Sequence, residues 1–145
     1  MNGDRSVVEV LNVLLAAESG SLVPHLADTD LFAHSEWADE LAALQRMAGE
    51  FMENQQWLSE AIVALRGTPM PRFADASIAD THYVSVESLL PRVTEACRQL
   101  VETYRDAGGR VADSPQAAEV VKRITTRHLE NLETLQTFAT QEPSQ

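Results

Sequence analysis

The 145-residue sequence contains a single cysteine, Cys97. One thiol can form neither an intramolecular disulfide nor a cysteine-rich zinc site. Aromatic residues make up only 6% of the chain, and no apolar run approaches the roughly 20 residues needed to span a bilayer. The first residues also lack the basic segment and short apolar core of a signal peptide. These absences predict a soluble, cytoplasmic protein with no membrane association, whose stability comes from its core.

Basic residues are scarce as well. The chain has 11 lysine and arginine residues against 22 aspartate and glutamate residues, and its formal net charge is −11. A surface of this charge repels a phosphate backbone, which argues against nucleic acid as a partner. The length suits one domain, and we expect residues 1–145 to form it.

Apolar residues recur at intervals of three and four in four segments, which is the pattern of helices that bury one face. The longest segment runs from Glu36 to Arg66 and ends at Gly67. Its stripe consists of Trp37, Leu41, Leu44, Ala48, Phe51, Leu58, Ile62 and Leu65. At about 1.5 Å per residue this helix spans roughly 45 Å, so it needs neighbours of similar length.

The other three helices are marked by their termini. A capping box at Ser6–Glu9 predicts the start of the first helix, and Pro24 predicts a kink or break at its end. Ser85 is the expected cap of the third helix, and Ser114-Pro115 that of the fourth. Because the segment from Thr68 to Tyr83 has no helical period, it is the expected crossover. The sequence therefore predicts an all-α fold, an antiparallel four-helix bundle with a long crossover between helices two and three.

A few polar or reactive side chains fall within the apolar stripes. They are Glu18, His25, Asn54 or Gln55, Cys97, Thr125 and His128. A buried carboxylate or imidazole is costly unless it is paired, so we expect these groups to meet. In one interpretation, Glu18, His128 and Cys97, with His25, offer ligands to one metal ion. In the other, Glu18 pairs with a histidine, and Cys97 is a small core residue.

Four short segments follow one another in a distinctive order. They are Leu11-Asn12-Val13-Leu14-Leu15 followed by Glu18, then Leu65-Arg66-Gly67-Thr68-Pro69, then Tyr104-Arg105-Asp106-Ala107, and finally His128-Leu129-Glu130-Asn131-Leu132-Glu133-Thr134. In order and spacing they resemble the bacterioferritins, the haem-containing branch of the ferritin-like superfamily. The resemblance covers nearly the whole chain and implies a ferritin-like bundle.

This resemblance also implies a di-iron centre, held by one Glu from each of helices one and three and a Glu-x-x-His pair from each of helices two and four. Only Glu18 and His128 match that pattern. The other four positions carry Phe51, Asn54, Cys97 and Thr125. Two hard cations need several carboxylates to bridge them, so the centre is degenerate and ferroxidase activity is expected to be lost.

The sequence thus predicts a non-catalytic binding or assembly module rather than an enzyme. The alternative is an iron-binding or iron-storage protein with a rearranged site of Glu18, His128, Cys97 and His25, which would hold iron or another single metal ion. A further alternative follows from the resemblance, which implies that a methionine at Met52 holds haem between two subunits. An outward methionine more often packs at a surface or interface, so haem is not the expected cofactor.

The resemblance implies a partner as well, because it favours a homodimer through helices one and two. The sequence stops where the family's short fifth helix begins. Since that helix helps to build fourfold contacts, we do not expect a 24-subunit cage.

Overall fold

A computed structural model of the protein describes residues 2–28, 31–32, 34–72 and 84–140. Four long helices dominate it, and they form the predicted antiparallel four-helix bundle. They are α1 (Asn2–Ser19), α2 (Ala38–Ala64), α3 (Val86–Arg110) and α4 (Pro115–Thr140). Two 3-10 helices, Val23–Asp28 and Ser35–Trp37, lie between α1 and α2. The strands β1 (Leu31–Phe32) and β2 (Val84–Ser85) form a two-residue parallel pair.

The helices pack as a ring of neighbours around one core. Helix α1 packs mainly against α2 and α3, and α4 packs against the same two helices. Helices α1 and α4 therefore face each other across the bundle. The largest fully buried side chains in the core are Leu11, Leu14, Leu15, Leu44, Met47, Phe51, Leu58, Ile62, Tyr104, Ile124, His128 and Leu135.

The apolar stripes predicted from sequence are confirmed with small shifts. On α2, the apolar residues Ala43, Met47 and Ala61 are buried in addition to the predicted ones. Three predicted residues near its ends are only partly buried: Trp37, Leu41 and Leu65. The buried positions shift gradually around the helix axis, because a straight helix has 3.6 residues per turn rather than 3.5.

Two predicted helix starts are wrong. Helix α1 begins at Asn2 and not at Ser6. The residues before the capping box include no proline that would stop the helix, so it extends upstream of Ser6. Ser35 opens a 3-10 helix, and α2 begins only at Ala38. The cap at Ser85 is confirmed, because its hydroxyl accepts the Ser88 N–H at 3.3 Å.

The predicted break before Pro24 is confirmed, since α1 ends at Ser19 and a 3-10 helix contains the proline. The segment Asp4–Leu26 has a mean hydropathy of 1.5 and is, by length and composition alone, apolar enough to cross a membrane. This corrects the expectation that no run approaches that length. In the bundle its Leu11 and Leu14 pack in the core and its Glu18 is buried. Residues 67–72 have no regular structure, and the rest of the predicted crossover, 73–83, lies outside the described residues.

Candidate functional site

Glu18 lies in the last two turns of α1 with no exposed surface. It follows Leu11 and Leu14 by seven and four residues, so the helical repeat turns all three toward the core. A carboxylate in such a place is costly unless donors surround it. Three side chains form hydrogen bonds with the Glu18 carboxylate, one from each of the other long helices. They are Asn54 on α2, Tyr104 on α3 and His128 on α4.

The two oxygens of Glu18 are engaged differently. The Tyr104 hydroxyl donates to Oε1 at 2.7 Å, and Nε2 of His128 bonds the same oxygen. The side-chain amide of Asn54 donates to Oε2 at 3.5 Å. When the carboxylate is ionised it only accepts hydrogen bonds, so Nε2 of His128 is then the donor of this contact. The Glu18–His128 bond joins α1 to α4 across the diagonal of the bundle.

Aromatic rings enclose the imidazole of His128. The Phe51 ring meets it edge-on with centroids 5.0 Å apart, and the Tyr104 ring is tilted against it at 5.2 Å. Its second nitrogen, Nδ1, is buried and has no hydrogen-bond partner among the described residues. The imidazole is therefore polar on the side facing Glu18 and packed among rings elsewhere.

The orientation of Asn54 is set from the other side by Arg127. The guanidinium donates from Nη1 to Asn54 Oδ1 at 3.1 Å and to Glu53 Oε1 at 3.1 Å. Since the amide oxygen is occupied by Arg127, the amide nitrogen faces Glu18. Arg127 also lies over the ring of Trp57, 4.5 Å from its centroid. A chain of contacts thus connects the surface to the buried carboxylate.

The charge of Glu18 contributes to the raised pKa values of two further groups. Burial, reinforced by that charge, raises the pKa of the Cys97 thiol to about 12. Burial is also the main cause that raises the pKa of Tyr104 well above its ordinary value, followed by the charge of Glu18 and the hydrogen bond to it. Both groups therefore stay protonated near neutral pH. Tyr104 acts as a donor, and Cys97 is a thiol rather than the thiolate that binds metals.

The structure brings together only part of the predicted metal set. Glu18 and His128 meet directly, and Cys97 is buried near enough to sense the carboxylate. His25 is half-buried at the 3-10 helix, with Nε2 3.4 Å from the Ser19 carbonyl oxygen. Over the described part of the chain, no group of three or more His, Cys, Asp and Glu side chains is placed to hold a metal ion.

Met52 is 56% exposed on the outer side of α2, where its sulfur accepts a weak hydrogen bond from Gln55 Nε2 at 3.8 Å. Of the two candidates at the α2 seam, Asn54 is the buried one and Gln55 is half-buried. Thr125 is half-buried and bonds the Val121 carbonyl oxygen of its own helix at 2.6 Å. Met52, Gln55 and Thr125 therefore add nothing to the set around Glu18.

Sequence reasoning missed three polar residues near this centre: Tyr104, Arg127 and Asn131. Tyr104 belongs to the apolar stripe of α3, but it follows Cys97 by seven residues and its hydroxyl reaches the same layer. Asn131 follows His128 by three residues, and its amide donates to Glu50 Oε1 at 2.8 Å. Helical spacing was the available signal for Tyr104 and Asn131, since residues three or seven apart lie on one face, but it gave no signal for Arg127.

Comparisons with known proteins place this geometry in a wider setting. No family model matches the sequence, and no curated protein matches it either. Among solved structures, the chain is similar to the bacterioferritin of Desulfovibrio desulfuricans, a protein described with a diiron site in different catalytic states. The TM-score is 0.68 at 18% sequence identity, and the match covers 94% of this chain and 80% of the other. The chain therefore has the ferritin-like four-helix-bundle fold of the bacterioferritins.

Proposed function

We propose that this chain is a bacterioferritin-like protein that has lost di-iron ferroxidase activity and serves in the cytoplasm as a non-catalytic binding or assembly module. The observation that carries the proposal is the direct bond between Glu18 and His128. These two residues stand at the matching ligand positions in the family pattern. Here each uses the other as its partner.

The surrounding side chains support the same conclusion. Glu18 Oε1 accepts from both Tyr104 and His128, so a cation at that oxygen has to displace protein donors. Asn54 contributes an amide donor, and Phe51 contributes a ring against the imidazole. A pair of divalent cations would then depend on a single buried carboxylate, too little charge to bridge and neutralise them.

Iron titration tests the proposal. The protein is purified without chelator, loaded anaerobically with ferrous iron and then exposed to oxygen, with a di-iron bacterioferritin as the positive control. We expect no stoichiometric binding of two irons per chain and no oxidation faster than in buffer. Binding of two irons per chain with rapid ferrous oxidation overturns the proposal.

A second candidate function is the binding of iron or another single metal ion at a rearranged site of Glu18, His128, Cys97 and His25. The observation in its favour is Nδ1 of His128, a buried nitrogen with no partner among the described residues. The raised pKa of Cys97 works against it, because the thiolate is the ligand. Metal uptake that disappears in the Glu18→Ala, His128→Ala double variant supports this candidate, provided that circular dichroism shows a folded bundle. Persistent uptake in that variant rejects it.

A third candidate is a haem-binding dimer through Met52. Its exposed thioether is the observation in its favour, since methionine is a recognised haem ligand. Visible absorption after addition of haem decides the matter. A Soret band that is lost in Met52→Leu supports haem binding, and no band in the wild-type protein excludes it.

A further inference from the structure

A cleft of about 450 Å³ lies at the end of the bundle where α1 begins and α2 ends. Its lining residues are Asp4, Arg5, Val8, Leu65, Arg66 and Gly67. It shares no residue with the buried carboxylate network. Clefts of this size fall within the range that accommodates small-molecule ligands.

At the C-terminus of α2, which lines this cleft, an arginine occupies the position that favours glycine. The Gly67 N–H donates to the Ile62 carbonyl at 2.8 Å, and the Arg66 N–H donates to the Val63 carbonyl at 2.9 Å. This is the Schellman motif, in which the residue in the position of Arg66 adopts the left-handed conformation. Arg66 has φ 65°, and it is the one non-glycine residue with positive φ in the described chain. Glycine is the residue that adopts this conformation without strain.

The glycine stands one position later for a different reason. A Cβ atom on Gly67 would lie 2.5 Å from Cγ1 of Val8, so only glycine lets α1 pack this closely. Packing therefore explains Gly67. It does not explain Arg66, whose side chain is exposed. The helix end requires the left-handed backbone but not an arginine, so an arginine at this strained position points to a use for its side chain.

The charges in the cleft suggest that use. Five arginines of the chain pair with carboxylates: Arg46, Arg98, Arg110, Arg123 and Arg127. The side chains of the other five have no ion pair or hydrogen bond with any described residue, and two of these five, Arg5 and Arg66, line one cleft. Two guanidinium groups that line one cleft make it attractive to an anion, since each contributes a positive charge.

We infer that this cleft binds a small oxyanion, a carboxylate or phosphate group, between the guanidinium groups of Arg5 and Arg66. Guanidinium forks match the paired oxygens of both groups, which a lysine cannot do. Asp4 also lines the cleft and leaves the lining side chains with one net positive charge. Binding is therefore weak, strengthened by loss of Asp4 and weakened by salt.

NMR titration of the full chain with inorganic phosphate and, separately, with acetate tests the inference and distinguishes the two sources of oxyanion. Arg5→Gln and Arg66→Gln should each weaken binding about tenfold, since each removes a charge-assisted pair. Asp4→Asn should tighten it. The matched control is Arg105→Gln, which removes the same charge from another exposed arginine on α3 and should change affinity less than about twofold.

A second variant separates binding from folding. Arg66→Gly relieves the left-handed strain, so its urea midpoint should rise while the affinity for the oxyanion falls. A stability gain with unchanged affinity overturns the inference. So does an equal loss in Arg105→Gln and Arg66→Gln, or the absence of saturable shifts with both probes.

Discussion

Glu18 is fully buried, and its carboxylate takes hydrogen bonds from the three other long helices. A buried acceptor left without a donor costs more than the average net gain of one hydrogen bond. The identity of each hydrogen-bond partner of Glu18 therefore affects the stability of the whole bundle. Tyr104 provides a neutral donor at 2.7 Å.

Replacement of Tyr104 by Phe should test this donor. The ring stays, but Glu18 loses a hydroxyl donor, so the free energy of unfolding should fall by about 1–3 kcal/mol. Urea unfolding monitored by circular dichroism measures the loss. The control is Thr126→Val, which removes an exposed hydroxyl bonded to the Lys122 carbonyl of its own helix and should change stability by less than about 0.5 kcal/mol. Equal effects of the two changes contradict the assigned role of Tyr104.

The Cys97 thiol gives a pH-dependent prediction. Because burial raises its pKa from 9.0 to about 12, the folded protein retains the proton at a pH where the unfolded chain has lost it. This contribution to stability is complete below pH 9.0 and declines as the pH rises toward 12. Tyr104, with its pKa well above 10.0, adds a decline in the same direction.

Unfolding free energies between about pH 8 and 11 should therefore fall less steeply in Cys97→Ala than in the wild-type protein. The difference in slope should reach at most about 1.4 kcal/mol per pH unit above the unfolded pKa. Thr126→Val serves again as the control and should keep the wild-type slope. Parallel curves for the wild-type protein and Cys97→Ala contradict the raised pKa.

The stability of the helices depends on glycine at one position, whereas at another position glycine is only tolerated. Gly67 lies against Val8 and Ile62 at the end of α2, where α1 and α2 approach closely. Gly109, in the last turn of α3, has open space within 4 Å of the point where a Cβ atom would stand. The same residue type therefore has opposite effects on stability at these two positions.

Gly67→Ala should destabilise the protein by about 1–3 kcal/mol, because the added methyl group forces α1 and α2 apart. Gly109→Ala is the control and should stabilise it by about 0.5 kcal/mol, through lower backbone entropy in the unfolded chain. Thermal or urea unfolding of both variants measures the two signs. A neutral or stabilising Gly67→Ala contradicts the close approach.

At the scale of the whole molecule, the four helices form a ring of neighbours with a polar connection across the diagonal. Exposed, uncharged residues recur along the outer side of α2, in a chain with a net charge of −11, and Glu60 lies among them. These exposed, uncharged residues include Ala42, Gln45, Gly49, Met52, Gln56 and Val63. A helix face made mainly of uncharged residues suits self-association, since few like charges meet when two copies pack together.

We therefore predict a homodimer that buries this side of α2. Sedimentation velocity should give a mass of about 32 kDa, twice the 16.0 kDa of one chain. Met52→Glu should shift the protein to monomers, because it places like charges on both copies of the face. Thr126→Glu, on the exposed side of α4, should leave the dimer intact. A wild-type monomer at micromolar concentration, or a dimer unaffected by Met52→Glu, contradicts the prediction.

Local patterns predict helix termini less well than helix faces in this chain. The capping box at Ser6 matches its pattern but lies inside α1, whereas Ser85 caps α3 as expected. Whether a residue caps a helix depends on a few backbone angles, and neighbouring residues can change those angles. A stripe is the sum of many side-chain burials, so one deviation such as Asn54 leaves it recognisable.

Four amphipathic helices, their approximate lengths and the inward direction of Glu18, Cys97 and His128 follow from the amino-acid sequence alone. Periodicity fixes these features because it sets the angle of each side chain about its own helix axis. It does not set the height of one helix against another or the choice of neighbours across the bundle.

Those quantities depend on how the helices pack. Packing alone brings Tyr104 and His128 to the same oxygen of Glu18, and Arg127 on the far side fixes which end of the Asn54 amide faces the carboxylate. The close contact between Gly67 and Val8 is also tertiary, since it joins residues distant in sequence. Each depends on distances between helices, which no single stripe contains.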